Sequence, residues 1–126
     1  MNIEISVGEF LDKLTILEIK AERITDAEKL KSVNREFELL QSIWIQSPYH
    51  LQDLGHEIAE LKKVNETLWC IEDDIREKEK LKTFDQDFIK LARAVYINND
   101  KRAAIKRVIN LKVGSELIEE KSYSGY

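Results

Sequence analysis

The chain has 126 residues, of which 43% are hydrophobic and 35% are charged, and its formal net charge at pH 7 is −4. This length and composition are typical of one folded domain with a highly charged surface, not of a disordered segment. The mild acidity argues against a dedicated nucleic-acid-binding protein, because such a protein needs a strongly basic face.

Cysteine usage and the N-terminal sequence bear on the cellular compartment. Cys70 is the single cysteine, which excludes an intramolecular disulfide and favours a reducing compartment. Residues 1–6 lack the basic and apolar segments of a signal peptide. No apolar run approaches the ~18 residues that a membrane span requires. We therefore expect a cytoplasmic protein that does not enter a membrane.

The first predicted helix is apolar on two sides. It begins after Ser6, because Ser6 and Glu9 have the spacing of a capping box. Its main stripe runs over 7–24 at alternating three- and four-residue spacing. Ile16 and Ile19 lie on the opposite side of the helix. Such a helix must be covered on both sides, so we expect a central helix or part of a dimer interface.

The second predicted helix begins at Thr25, which forms a capping box with Glu28. The link between the first two helices is very short, which favours a tight antiparallel hairpin or a kinked pair. Pro48 ends the second helix, because proline cannot continue it. Its apolar stripe consists of Leu30, Val33, Phe37, Leu40 and Trp44.

The third and fourth predicted helices are long and matched in length. The third runs from about Leu51 to Lys80, and the fourth follows a capping box at Thr83. Asn98-Asn99-Asp100 could end the fourth helix and start a fifth, but we favour continuation to about Val113 because no glycine or proline intervenes. Gly114 then provides the stop. Residues 116–121 can add a helical turn, and residues 122–126 are expected to fray.

These elements predict an all-α fold of antiparallel helical hairpins that form a small bundle. The long pair spans about 51–80 and 84–113, and a shorter N-terminal pair packs against it. Residues 1–126 are expected to form a single helical domain. The two tryptophans, Trp44 and Trp69, and the small apolar-flanked Cys70 are predicted to lie in the core.

Polar residues interrupt the apolar stripes of both long helices. Asn65 lies within the stripe of the third helix, one heptad before Glu72. Antiparallel pairing across the turn at 82–83 places Asn65 near Asn99. Because an unpaired buried polar group costs about 1–3 kcal/mol, we expect these groups to bind each other or a ligand. Arg102 and Lys106 also fall in or near the stripe of the fourth helix and are expected within a turn of Glu57 and Glu60.

Two interpretations of these polar residues stay open at this point. The one we favour is a layer that fixes the register between helices, as a buried asparagine does in coiled coils. The other is a binding site between helices. No catalytic residue, cofactor or metal is predicted, since His50 and His56 lack metal-site spacing. The candidate binding residues are Asp12, Lys13, Asn65, Glu72, Arg76, Asn99, Arg102 and Lys106.

Four segments carry a family resemblance: 6–20, 64–76, 91–107 and 114–123. Over almost its whole length the chain resembles a bacterial and phage-associated family of small helical proteins that is described only as a domain of unknown function. The resemblance implies a helical domain and a shared cluster of polar residues that includes the candidate binding residues. It implies no activity, cofactor or catalytic residue.

The sequence favours a protein-interaction or assembly module that acts as a homo-oligomer, most simply a dimer with coiled-coil character, and that can bind another protein. The alternative is a small-molecule binder or enzyme for an anionic phosphate or carboxylate ligand in an inter-helix pocket, because arginine and lysine would supply the donors. A basic run at 101–112 leaves nucleic-acid binding as the weakest hypothesis. Whether the protein is an enzyme is not decided by the sequence.

Overall fold

A computed structural model describes residues 1–114 of the chain. These residues form helices α1 (Val7–Arg23), α2 (Ala27–Gln46), α3 (Gly55–Lys80) and α4 (Gln86–Val113), with a short 3-10 helix at Pro48–Leu51 between α2 and α3. The described residues contain no strand, so the predicted all-α bundle is confirmed. The predicted turn at 116–121 and the expected fraying at 122–126 fall outside the described residues.

Aspartates, not threonines, cap two of the helices. The predicted cap at Ser6 is confirmed, because its Oγ accepts a 3.1 Å hydrogen bond from the Glu9 amide. The predicted caps at Thr25 and Thr83 are wrong. Asp26 caps α2 through the Lys29 amide at 2.9 Å, and Asp85 caps α4 in the same way. A carboxylate at these positions both accepts the amide hydrogen bond and interacts favourably with the helix dipole.

The ends of the long helices differ partly from the prediction. α3 begins at Gly55 and not near Leu51, because Pro48–Leu51 winds as a separate 3-10 helix. α4 is continuous through 98–100, as we favoured. Gly114 ends α4 in the left-handed conformation, with φ of +68°, as the glycine stop predicted.

α1 is the central helix of the bundle. α3 and α4 form a long antiparallel hairpin, and α1 packs against α2, α3 and α4. The core cluster lies at the end of the hairpin far from its turn and consists of Val7, Leu11, Leu54, Leu61 and Ile109. By contrast, no residue over 72–105 is buried. The tip of the hairpin therefore extends past the part of α3 and α4 that α1 packs against.

The three predicted core residues have different surroundings. Trp44 packs against the core, with its ring stacked on Phe10 at a centroid distance of 6.2 Å. Trp69 is only half-buried. The prediction for Cys70 is wrong, because its side chain is exposed. The guanidinium of Arg23 at the end of α1 lies 3.7 Å from the thiol, where a core position would have an apolar neighbour. None of the described helices is long and apolar enough to cross a membrane.

Candidate functional site

The site depends on a very close approach between the start of α1 and the end of α4. The Gly8 amide donates a 2.7 Å hydrogen bond to Oδ1 of Asn110, whose side chain has no exposed surface. A Cβ on Gly8 would lie 2.6 Å from the carbonyl oxygen of Lys106. Only glycine permits this distance, so Gly8 fixes the position of α1 on α4.

Lys106 is a buried cation that joins the same two helices. Its Nζ donates to Glu9 Oε2 at 2.5 Å and lies 3.7 Å from Asp12 Oδ2. Lys106 is only 6% exposed, so these carboxylates offset the cost of removing its charge from water.

Glu57 does not join this arrangement. The expectation that Glu57 and Glu60 lie near Arg102 and Lys106 is wrong: Glu57 binds Lys112, and Glu60 binds His56 at 2.5 Å. Hydrogen bonding by Lys112 lowers the pKa of the Glu57 carboxyl.

A buried polar chain runs from α1 through α3 to α4. Nδ2 of Asn65 donates to Asp12 Oδ1 at 2.9 Å and to Thr15 Oγ1 at 3.1 Å. Oδ1 of Asn65 accepts a 3.1 Å hydrogen bond from Nη1 of Arg102. Nη2 of Arg102 donates to Oδ1 of Asn99 at 2.8 Å. The predicted proximity of Asn65 and Asn99 is therefore confirmed, and both amides bind Arg102.

Arg102 binds two neutral amides instead of an acid. Both of its hydrogen-bond acceptors, on Asn65 and Asn99, are carboxamide oxygens. No carboxylate among residues 1–114 forms an ion pair with Arg102, because Asp12 bonds to Asn65 and faces Lys106. A guanidinium has five N–H donors, so most of its hydrogen-bonding capacity and all of its charge stay available.

The far side of this polar chain opens into a cleft between α1, α3 and α4. The cleft has a volume of about 530 Å³ and is broadly open to solvent. Polar and charged side chains share its walls with a tryptophan and three aliphatic residues. The lining residues are Ile16, Lys20, Asn65, Leu68, Trp69, Glu72, Asp73, Arg76, Val95, Asn99 and Arg102.

Most of the predicted binding residues meet at this cleft. Five of them are part of the lining: Asn65, Glu72, Arg76, Asn99 and Arg102. Asp12 and Lys106 are buried behind it, where Asp12 supports Asn65. Lys13 is exposed and is not part of the lining.

Two lining residues carry functional potential that the sequence analysis did not assign. Lys20 lies one turn after Ile16 on the second face of α1, and this spacing could have identified it. Trp69 was predicted as core, but it forms part of the cleft wall.

The charges of the cleft are only partly paired. Arg76 binds Glu72 at 3.1 Å, one turn apart on α3. Lys20 and Arg102 form no ion pair with any residue of 1–114, and neither does Asp73. The cleft therefore holds two unneutralised cations and one unneutralised carboxylate.

A separate charged cluster fastens α1 to α3 outside the cleft. Nζ of Lys62 donates to Glu22 at 2.7 Å and to Glu18 at 3.0 Å. These hydrogen bonds raise the pKa of Lys62 to about 12. Both carboxylates share the single ammonium group of Lys62, so the cluster stabilises the packing of α1 on α3.

Comparison with known proteins gives a family but no activity. The pattern of a family of unknown function (DUF6165) matches residues 1–126. The chain belongs to this family. No curated protein and no solved structure matched the chain. The bacterial and phage association that the resemblance implied stays a prediction.

No metal centre is evident in this DUF6165 chain. Over residues 1–114, no group of three or more His, Cys, Asp or Glu side chains is placed to hold a metal ion. The acids of the cleft, Glu72 and Asp73, are accompanied there by three basic side chains, which suits an organic or phosphate anion better than a cation.

Proposed function

We propose that the cleft between α1, α3 and α4 binds a small ligand that carries a carboxylate or phosphate group. The observation that supports this most strongly is the guanidinium of Arg102, which two neutral amides hold in place without a carboxylate partner. Partial burial of a cation costs desolvation free energy, which a nearby anion offsets. An oxyanion in the cleft would accept the remaining Arg102 N–H groups and neutralise it.

The other lining residues suit the same kind of ligand. Lys20 supplies a second cation from α1, so that two helices can contact one anionic group. Trp69, Leu68 and Val95 give the walls an apolar part that would pack against the body of the ligand. The volume of about 530 Å³ is in the range of small-molecule sites.

The proposal is for binding and does not extend to catalysis. The described residues that line the cleft include no histidine, cysteine or serine, so they offer no nucleophile activated by a neighbouring base. The lining carboxylates are Glu72, which binds Arg76, and Asp73, which forms no ion pair in the described chain. Support for an enzyme would require a reaction of the bound ligand.

The test is a thermal-shift screen followed by calorimetry at low ionic strength. The probes are inorganic phosphate, a four-carbon dicarboxylate, a sugar phosphate and a nucleotide. A ligand present at about 100 times its dissociation constant stabilises the folded state by about 2.7 kcal/mol, which gives a clear rise in melting temperature. If none of these probes at millimolar concentration moves the melting temperature, the proposal is wrong.

Lys20→Gln is the variant that separates binding from folding. Lys20 has no ion pair in the described chain, so its loss should leave the fold intact and weaken binding about tenfold. Lys63→Gln is the matched control, because Lys63 is an exposed lysine on α3 outside the cleft. Equal affinity of the two variants for the same anion would exclude Lys20 from the site.

A second candidate function is a protein-interaction or assembly module that acts as a homo-oligomer. Its support is the outer face of α4, where the large apolar side chains of Val108 and Leu111 are exposed. Sedimentation analysis showing a monomer at all concentrations would contradict it. We also infer a cytoplasmic location, because the exposed thiol of Cys70 suits a reducing compartment.

A further inference from the structure

The solvent-facing side of α4 carries a second apolar stripe. At about 100° per residue, Asn99, Arg102 and Lys106 point toward α1 and α3. Ile97, Ala104, Val108 and Leu111 lie on the opposite side of the helix, at the heptad spacing of a coiled-coil seam.

Three of these side chains, on Ala104, Val108 and Leu111, are exposed in the single chain, and that of Ile97 is half-buried. Val108 is 47% exposed and Leu111 is 58% exposed, although both are aliphatic. Lys101 is the one charged residue within the seam, between Ile97 and Ala104. A heptad stripe of this kind on the outer face of a folded helix is typical of a surface that another helix covers.

We propose that the outer face of α4 binds α4 of a second copy of this chain in antiparallel orientation. This inference rests on the second candidate function, assembly as a homo-oligomer, and is independent of the proposed cleft ligand. In the antiparallel register that pairs the seam positions, Ile97 packs against Val108 of the second copy. Ala94 meets Leu111 of the second copy, and Lys101 meets Ala104 of the second copy, so that each large side chain faces a small or medium one.

Charge complementarity selects this orientation. Asp100 and Arg107 are one heptad apart and flank the same side of the seam. In the antiparallel pair each Asp100 lies beside Arg107 of the second copy, so that the Arg107 guanidinium can add this ion pair to the interaction it already makes within its own chain. A parallel pair would instead place Asp100 beside Ile105 of the second copy, so that neither ion pair would form. The carboxylate of Asp100 forms no ion pair within residues 1–114, so it is available for this contact.

The size of the surface predicts a weak dimer. The stretch from Ala94 to Leu111 is about 26 Å long at 1.5 Å per residue. A single-helix contact of this length buries less than the roughly 800 Å² per partner of standard stable interfaces. We therefore expect a dimer that dissociates in the micromolar range. Because the seam is opposite the cleft side of α4, both clefts stay open in this dimer.

The first test is sedimentation velocity of the full chain from about 10 µM to about 500 µM. We expect a reversible monomer–dimer equilibrium for the wild type. Val108→Glu should raise the dimer dissociation constant by at least about tenfold, because it places a charge in the seam. Leu39→Glu is the matched control, since Leu39 is 60% exposed on α2 and lies outside the seam.

The possible outcomes of this test are distinct. A wild type that stays monomeric up to the highest concentration would overturn both the assembly function and this surface. A Val108→Glu variant that dimerises as the wild type does, with an unchanged melting temperature, would overturn the surface alone. Neither result would bear on anion binding in the cleft.

Two further experiments test the antiparallel register. Asp100→Arg alone should weaken the dimer, and adding Arg107→Asp should restore it, because the ion pairs then re-form with reversed polarity. On a Cys70→Ser background, a mixture of Lys101→Cys and Ala104→Cys chains should cross-link on oxidation faster than either variant alone. Faster cross-linking of the Ala104→Cys chain with itself would overturn the register.

Discussion

The substitution Gly8→Ala should measure how far the bundle depends on the close approach of α1 to α4. The added Cβ would lie 2.6 Å from the carbonyl oxygen of Lys106 and 3.0 Å from Oδ1 of Asn110. The first neighbour is backbone within a helix and cannot rotate away. α1 must therefore move outward, and the 2.7 Å hydrogen bond from Gly8 to Asn110 must lengthen or break.

The size of the effect follows from three contributions. Overpacking of a close contact costs about 1–3 kcal/mol. Leaving the fully buried Asn110 side chain without its donor costs about 1–3 kcal/mol. Alanine gains about 0.5–1 kcal/mol over glycine within a helix. The free energy of unfolding should therefore fall by about 2–4 kcal/mol, which lowers the melting temperature of a domain of this size by about 10 °C.

The measurement is urea denaturation together with calorimetric melting of Gly8→Ala beside Gly55→Ala. Gly55 is the first residue of α3, and a Cβ built there meets no atom within 4 Å. Its replacement should be neutral or stabilise the fold by up to about 1 kcal/mol. If Gly8→Ala melts within about 2 °C of the wild type, the close contact does not determine the position of α1 and the reasoning is refuted.

Three other predictions concern the polar chain, the charged cluster and the end of α4. Asn65→Ala should lower the free energy of unfolding by about 1–3 kcal/mol in urea titrations, because it removes the hydrogen-bond acceptor of Arg102. A loss below about 0.5 kcal/mol would show that the buried polar chain contributes little to the stability of the fold. The raised pKa of Lys62, to about 12 from 10.5, means that its stabilising effect is complete below pH 10.5 and is lost as the pH rises through about 12. The stability difference between the wild type and Lys62→Met should therefore be constant at neutral pH and shrink in alkali, and a difference that is unchanged at pH 12 would contradict the pairing with Glu22. Gly114→Ala should destabilise by about 1–2 kcal/mol, because its φ of +68° strains a residue with a side chain, and an unchanged melting temperature would count against that conformation.

The sequence predicted the helices and their pairing well because those features depend on local patterns. The continuity of α4 followed from the lack of glycine and proline over 98–113, and that continuity placed Asn65 beside Asn99. The predicted caps at Thr25 and Thr83 were wrong. At the start of α2, for example, Thr25 precedes an aspartate that caps more effectively.

The parts that the sequence did not predict depend on three-dimensional packing. The contact of Gly8 with Lys106 joins residues at opposite ends of the chain, and no local pattern indicates it. The pairing of Glu57 with Lys112 depends on how α3 and α4 are rotated, which heptad counting does not determine. Trp69 was predicted as core because periodicity cannot tell a buried face from the wall of an open cleft.

The lack of buried residues over 72–105 has a consequence for the motions of the molecule. Few apolar contacts hold the tip of the α3–α4 hairpin, so its amide protons should exchange with solvent through local opening, at a lower free energy than global unfolding. The cleft lies at the boundary between this tip and the core, since its walls include Arg76 from α3 and Val95 from α4. An anion that bridges Lys20 and Arg102 would therefore slow exchange in the tip as well as at its own contacts, and the base of the hairpin would change little.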